Sequence, residues 1–141
     1  WDVRFDNATA QRTLALAVAE TKRLRRYTAV ASDFWWLTPQ TLDHTVWAGW
    51  QHHLPLEHSG CAVFFRRDQS ERPTMEAGLR GVQQIACFQV TVYDNAFLLV
   101  SNVTISGATL ANLTVSLPTK SSSALIEYWP AAPLMCAANW S

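Results

Sequence analysis

The chain has 141 residues, 49% of them hydrophobic and 16% charged, with 11 basic and 11 acidic side chains. That length reads as a single domain, and the apolar fraction is enough for a core. Zero net charge argues against a general nucleic-acid binder, and high hydrophobicity excludes an intrinsically disordered chain.

Residues 8–27 read as a helix. Asp6, Asn7 and Thr9 offer capping oxygens at its start, and Leu14, Val18 and Leu24 fall near one face. Lys22, Arg23, Arg25 and Arg26 gather in the last turns, where cations suit the helix dipole; the cluster reads first as a solvated helix end. Residues 28–60 are rich in Trp and His. A short strand is expected near 28–37, then a loop or helical turn from Thr38. Four of the seven Trp lie here: Trp35, Trp36, Trp47 and Trp50. They read first as core beneath a long loop, and second as a platform for a sugar or partner, since indole joins area to a polar N–H.

The segment 61–129 is β-rich. A strand is expected at 61–67, then a polar loop over 68–80 with a helical turn from Thr74, then a long strand over 81–93. Asp94-Asn95-Ala96 is a turn signal. Decapeptides starting at Ser101 and Ala111 repeat Asn, Thr and Ser in the same places. They predict two antiparallel strands joined by a hairpin turn at 106–109, with Asn102, Thr104, Asn112 and Thr114 on one face. A last strand is expected over 124–129. The fold class is therefore α+β or mainly β: an antiparallel sheet or sandwich with one N-terminal helix. The uncharged stretch 95–119 is long enough to span a membrane, but its polar residues recur at strand spacing, so no transmembrane span is expected. Val90–Ala96 and the apolar run after it resemble a strand pair of polycystin-type extracellular domains, and no function is carried over from that resemblance.

Charge is unevenly placed. Residues 81–141 hold only Asp94, Lys120 and Glu127. Such a stretch needs cover from sugar, a partner chain or a membrane. Four of the five Asn stand in N-x-S/T: Asn7, Asn102, Asn112 and Asn139. Read as N-glycosylation acceptors, they place the chain in the secretory pathway, as an extracellular, cell-surface or virion-surface domain. An oxidising compartment favours disulfides among Cys61, Cys87 and Cys136. A 61–87 bridge would leave Cys136 for a partner outside the segment; alternatively Cys136 takes one of the other two and the remaining one stays a buried thiol, the sequence alone not choosing among the three pairs. The ends at Trp1 and Ser141 read as those of a piece of something longer.

All four His lie between 44 and 58: His44, His52, His53 and His58, with Asp43 and Glu57 beside two of them. They are candidate metal ligands or a pH-responsive patch, although the spacing matches no metal motif. No nucleophile elbow, phosphate loop or paired zinc-ribbon spacing occurs, so neither enzyme nor cofactor is expected. The leading expectation is a non-enzymatic surface glycoprotein domain acting in assembly or adhesion, with N-linked glycans and a protein partner or second copy. The alternatives are a carbohydrate or small-ligand module using Trp35, Trp36, Trp47 and Trp50, and a metal-binding protein using the His cluster.

Overall fold

The computed structural model describes residues 7–28, 31–132 and 136. Asn7 caps α1 (Ala8–Leu24) by accepting the Ala10 N–H at 2.7 Å. The helix runs into a 3₁₀ turn, Arg25–Thr28, whose Tyr27 is buried. No residue of α1 itself is buried, and Leu14 and Val18 remain exposed.

Among the described residues eight strands follow: β1 (Asp33–Trp36), β2 (Ala48–Leu54), β3 (Ser59–Arg66), β4 (Thr74–Glu76), β5 (Cys87–Asp94), β6 (Leu99–Ser106), β7 (Thr114–Ser116) and β8 (Ser122–Ala131), with a short helix α2 (Gly107–Ala111) before β7. Six of them form one antiparallel sheet in the order β1–β2–β3–β8–β5–β6. The last strand among the described residues is thus central in the sheet. Its buried run, residues 124–128, is what a strand covered on both faces requires. The fold is mostly antiparallel sheet with one N-terminal helix, as the composition and patterning predict.

The small sheet of β4 and β7 covers the inner face together with α2. Phe64, Phe88, Ile105 and Ile126 share one core with Leu110, Leu113 and Val115 of that cover. A polar network lies within it. Gln51 Nε2 donates to the Tyr128 hydroxyl at 2.7 Å, which lies 2.8 Å from His53 Nδ1. Gln51 also clasps the backbone of Arg80, donating to its carbonyl and accepting its N–H, each at 2.8 Å. Buried Arg66 is satisfied by main-chain carbonyls, Ser70 at 3.0 Å and Leu117 at 2.9 Å among them. On the outer face a smaller cluster of Tyr27, Leu54, Cys61 and Leu125, with Leu24 against it, seats the end of the helix.

Several expectations are corrected. The decapeptide repeat is not a hairpin. β6 pairs with β5 and β7 with β4. Ser106 accepts the Thr109 N–H at 3.1 Å and caps α2, so the expected turn is a helix start. The real hairpin turns at Asp94, whose Oδ1 accepts the N–H groups of Ala96 and Leu98 at 2.8 and 3.0 Å. The turn expected from Thr74 is the strand β4, and the strand expected from residue 81 begins at Cys87. Cys87 is bonded to Cys136, and Cys61 is a buried free thiol. β8 separates Cys61 from Cys87, and Cys61 lies opposite Glu127 while Cys87 lies opposite Ala131, so their backbones are more than two strand spacings, about 10 Å, apart and beyond the roughly 7 Å a disulfide spans. Among the described residues no helix is long and apolar enough to cross a membrane.

Candidate functional site

The site grows out of the alternation of β1, β2 and β3. Along β2, Gly49, Gln51 and His53 are buried while Trp50 and His52 are partly open. Gly49 is required there, because a Cβ would stand 2.8 Å from Phe64 Cδ1. Trp36 lies opposite Trp50, and Phe34 opposite His52, so these four share the outer face. Phe65 of β3 joins them.

The rings form a continuous strip. Phe34 and Trp36 meet edge-on with centroids 5.4 Å apart, Trp36 and Trp50 lie 5.9 Å apart, and Trp50 stacks on Phe65 at 5.7 Å. His52 closes against Phe34 at 5.0 Å. Burial among the aromatic neighbours lowers the His52 pKa by disfavouring the charged ring. Phe34 is 45%, Trp36 43% and Phe65 40% exposed, although rings of this size are usually sheltered. The strip crosses two strand spacings, roughly 10 Å.

Polar groups rim the strip on the side of Trp36 and Phe65. A shallow cleft of about 370 Å³ beside Trp36 is lined by Gln40, Thr41 and Arg67. A second, of about 490 Å³, lies beside Phe65, with His44, Arg67 and Asp68. Arg67 is held in place by donating to the carbonyls of Thr41 at 2.8 Å and Asp43 at 3.0 Å. His44 Nδ1 is 2.8 Å from Asp68 Oδ1, and this hydrogen bond holds the Asp68 carboxyl below its usual range. Electron-rich ring faces flanked by fixed donors and acceptors are chemically suited to a ligand with C–H edges and hydroxyls.

The predicted residues divide. Trp36 and Trp50 come together. Trp35 faces inward beside His53, and Trp47 is core at 4% exposed, its indole N–H donated to the Arg72 carbonyl at 3.0 Å. Phe34, Phe65 and Arg67 were not among the predicted site residues; the i, i+2 spacing of Phe34 with Trp36 is the signal that finds the first. The structure does not bring the four His together, and among the described residues no three His, Cys, Asp or Glu converge. His52 and His53 are strand neighbours and point to opposite faces, His44 pairs with Asp68, and His58 lies near Gln83. Asn7, Asn102 and Asn112 are exposed, while Asn139 lies outside the described residues.

No protein-family model matches the chain, and no curated protein is significantly similar to it. Solved structures do share its fold. The crystal structure of the GH36 alpha-galactosidase AgaA from Geobacillus stearothermophilus matches with a TM-score of 0.71 at 15% identity, over 92% of this chain and 17% of that one. The galactosidase domain of the alpha-galactosidase-sucrose kinase AgaSK matches with a TM-score of 0.64 at 13% identity, over 90% of this chain and 17% of that one. The likeness at these identities is one of fold, and this chain corresponds to a small part of each. It overturns the expectation of a domain acting in assembly or adhesion, because the fold is one found within α-galactosidase chains.

Proposed function

We propose that this domain is a carbohydrate-binding accessory unit of a glycoside hydrolase, taking a saccharide along the strip Phe34–Trp36–Trp50–Phe65. The observation that carries the reading is that strip: four rings side by side on the outer face of β1–β3, three of them at least 40% exposed, with Arg67 and Asp68 at its rim. The fold shared with α-galactosidases supports a galactosyl ligand. In this reading the domain supplies binding, and hydrolysis belongs to other parts of a longer chain. Affinity electrophoresis through gels carrying an α-galactosylated polysaccharide tests it. The chain is expected to be retarded and Trp36→Ala to run freely; equal migration of the two with and without the polysaccharide contradicts the reading.

We further propose synthesis in the secretory pathway, with glycans on Asn7, Asn102 and Asn112. All three are exposed, and the Cys87–Cys136 disulfide suits an oxidising compartment. Asn102 stands on β6, an edge of the large sheet, where a glycan would block pairing with another strand. Intact mass of natively sourced protein should drop by several glycan masses on treatment with peptide N-glycosidase; an unchanged mass contradicts the assignment.

A further inference from the structure

A cleft of about 460 Å³ opens on the same outer face, on the far side of Tyr27 from the aromatic strip. The end of the helical segment brings Arg23 and Arg26 to it, β8 brings Glu127 and Trp129, and β5 brings Tyr93. Arg23 Nε donates to Glu127 Oε2 at 2.7 Å, and its guanidinium lies 4.3 Å over the Tyr93 ring. Arg26 is bonded to Glu57. The Glu127 side chain is only 4% exposed, while the Trp129 indole stands open at 39%. Thr91, the register partner of Glu127, holds a buried hydroxyl with no hydrogen-bond partner among the described residues.

Two guanidiniums and two carboxylates line the cleft, and Glu20 Oε2 stands 3.8 Å from the Arg23 guanidinium as a third carboxylate, so no positive charge is left unpaired. An anion would have to displace a glutamate, and a cation an arginine. A neutral polyol displaces neither. Each guanidinium keeps N–H groups and each carboxylate keeps lone pairs beyond those its ion pair uses, in directions fixed by the pairing. An indole face beside such an array offers a pyranose ring its apolar side. The volume falls in the range of small-molecule sites, roughly 300–1,000 Å³.

We propose that this cleft, walled by Trp129 and the Arg23–Glu127 and Arg26–Glu57 pairs, is a second binding site for a neutral saccharide. It rests on its own geometry and does not depend on the strip. Titration calorimetry of the 141-residue chain with an α-galactosyl trisaccharide, with sucrose and with inorganic phosphate tests it. The expected result is two saccharide sites per chain, one surviving in Trp36→Ala and the other in Trp129→Ala, and no binding of phosphate. Glu57→Gln alters a side chain that is 53% exposed, so the fold withstands it, and it should weaken the site that survives in Trp36→Ala at least about tenfold. A single site that Trp36→Ala abolishes overturns the cleft and leaves the strip standing. A single site that survives in Trp36→Ala and is lost in Trp129→Ala upholds the cleft and removes the strip. No saccharide binding, or binding of phosphate alone, overturns the cleft.

Discussion

Along β2, Gln51 and His53 lie one peptide unit from Trp50 and His52, yet the two sets meet opposite surroundings. Inward, Gln51 and His53 are 0% and 2% exposed and their polar atoms bond to Tyr128 and Arg80. Outward, Trp50 belongs to a strip whose large rings remain open to solvent. The inner face therefore holds polar atoms that are satisfied, and the outer face holds apolar rings that are not covered. Covering large rings stabilises a fold, so rings left open in a row are where the molecule has stability still to gain from a ligand.

Removing a ring from each face breaks the comparison most sharply. Phe64→Ala on the inner face should cost about 3–5 kcal/mol, because Phe64 is fully buried and leaves a cavity. Phe65→Ala, its neighbour on the outer face, should cost less than about 1.5 kcal/mol, as expected of a ring that is 40% exposed. Urea denaturation of both variants compares them; equal losses would show that the outer ring is structural. Next in size is the disulfide. Cys87→Ser should destabilise by roughly 2–4 kcal/mol, since the bond closes a loop of 49 residues, whereas Cys61→Ala should cost less. Burial pushes the Cys61 thiol up to about 12, so it should resist alkylation in the folded chain; rapid labelling of native protein would contradict its placement.

Trp36→Ala should weaken saccharide binding at least about tenfold, or about 1.4 kcal/mol, while its urea midpoint stays close to wild type. A large fall in that midpoint would move Trp36 from the ligand to the fold. The smallest effect is on pH. Burial lowers the pKa of His53 below its ordinary 6.5, with Asp33 opposing and His58 assisting. The unfolded chain then takes up the proton first. Stability is complete above about 6.5 and declines as pH falls from there toward the lower folded value. His53→Gln should flatten that decline in denaturation curves taken between neutral and mildly acid pH. An unchanged slope would assign it to other groups.

Much of the architecture was legible because its signals are local. The Asn7 cap, the basic last turns of α1 and the β-branched run of β5 each carry their own pattern. β2 was not, because Ala-Gly-Trp-Gln-His-His-Leu has no β-branched residue and contains a glycine that only the distant Phe64 explains. The false hairpin has the same origin. Ser106-Gly107-Ala108-Thr109 serves a turn or a helix cap equally well, and pairing of β6 with β5 decides between them. Within the site, the Trp cluster was visible but its division was not. Whether Trp35 or Trp36 faces out depends on the register of β1 against β2, and a shift of one residue would exchange them. Phe65 reaches the strip only through the pairing of β3 with β2, beyond the reach of any local window.

The most direct measurement is ¹H–¹⁵N chemical-shift mapping of the indole N–H signals during titration with an α-galactosyl trisaccharide. The account predicts that Trp36 and Trp50 move saturably while Trp35 and Trp47 stay fixed. Stationary Trp36 and Trp50 signals, or movement confined to Trp35 and Trp47, would contradict the outer strip as the saccharide-binding face.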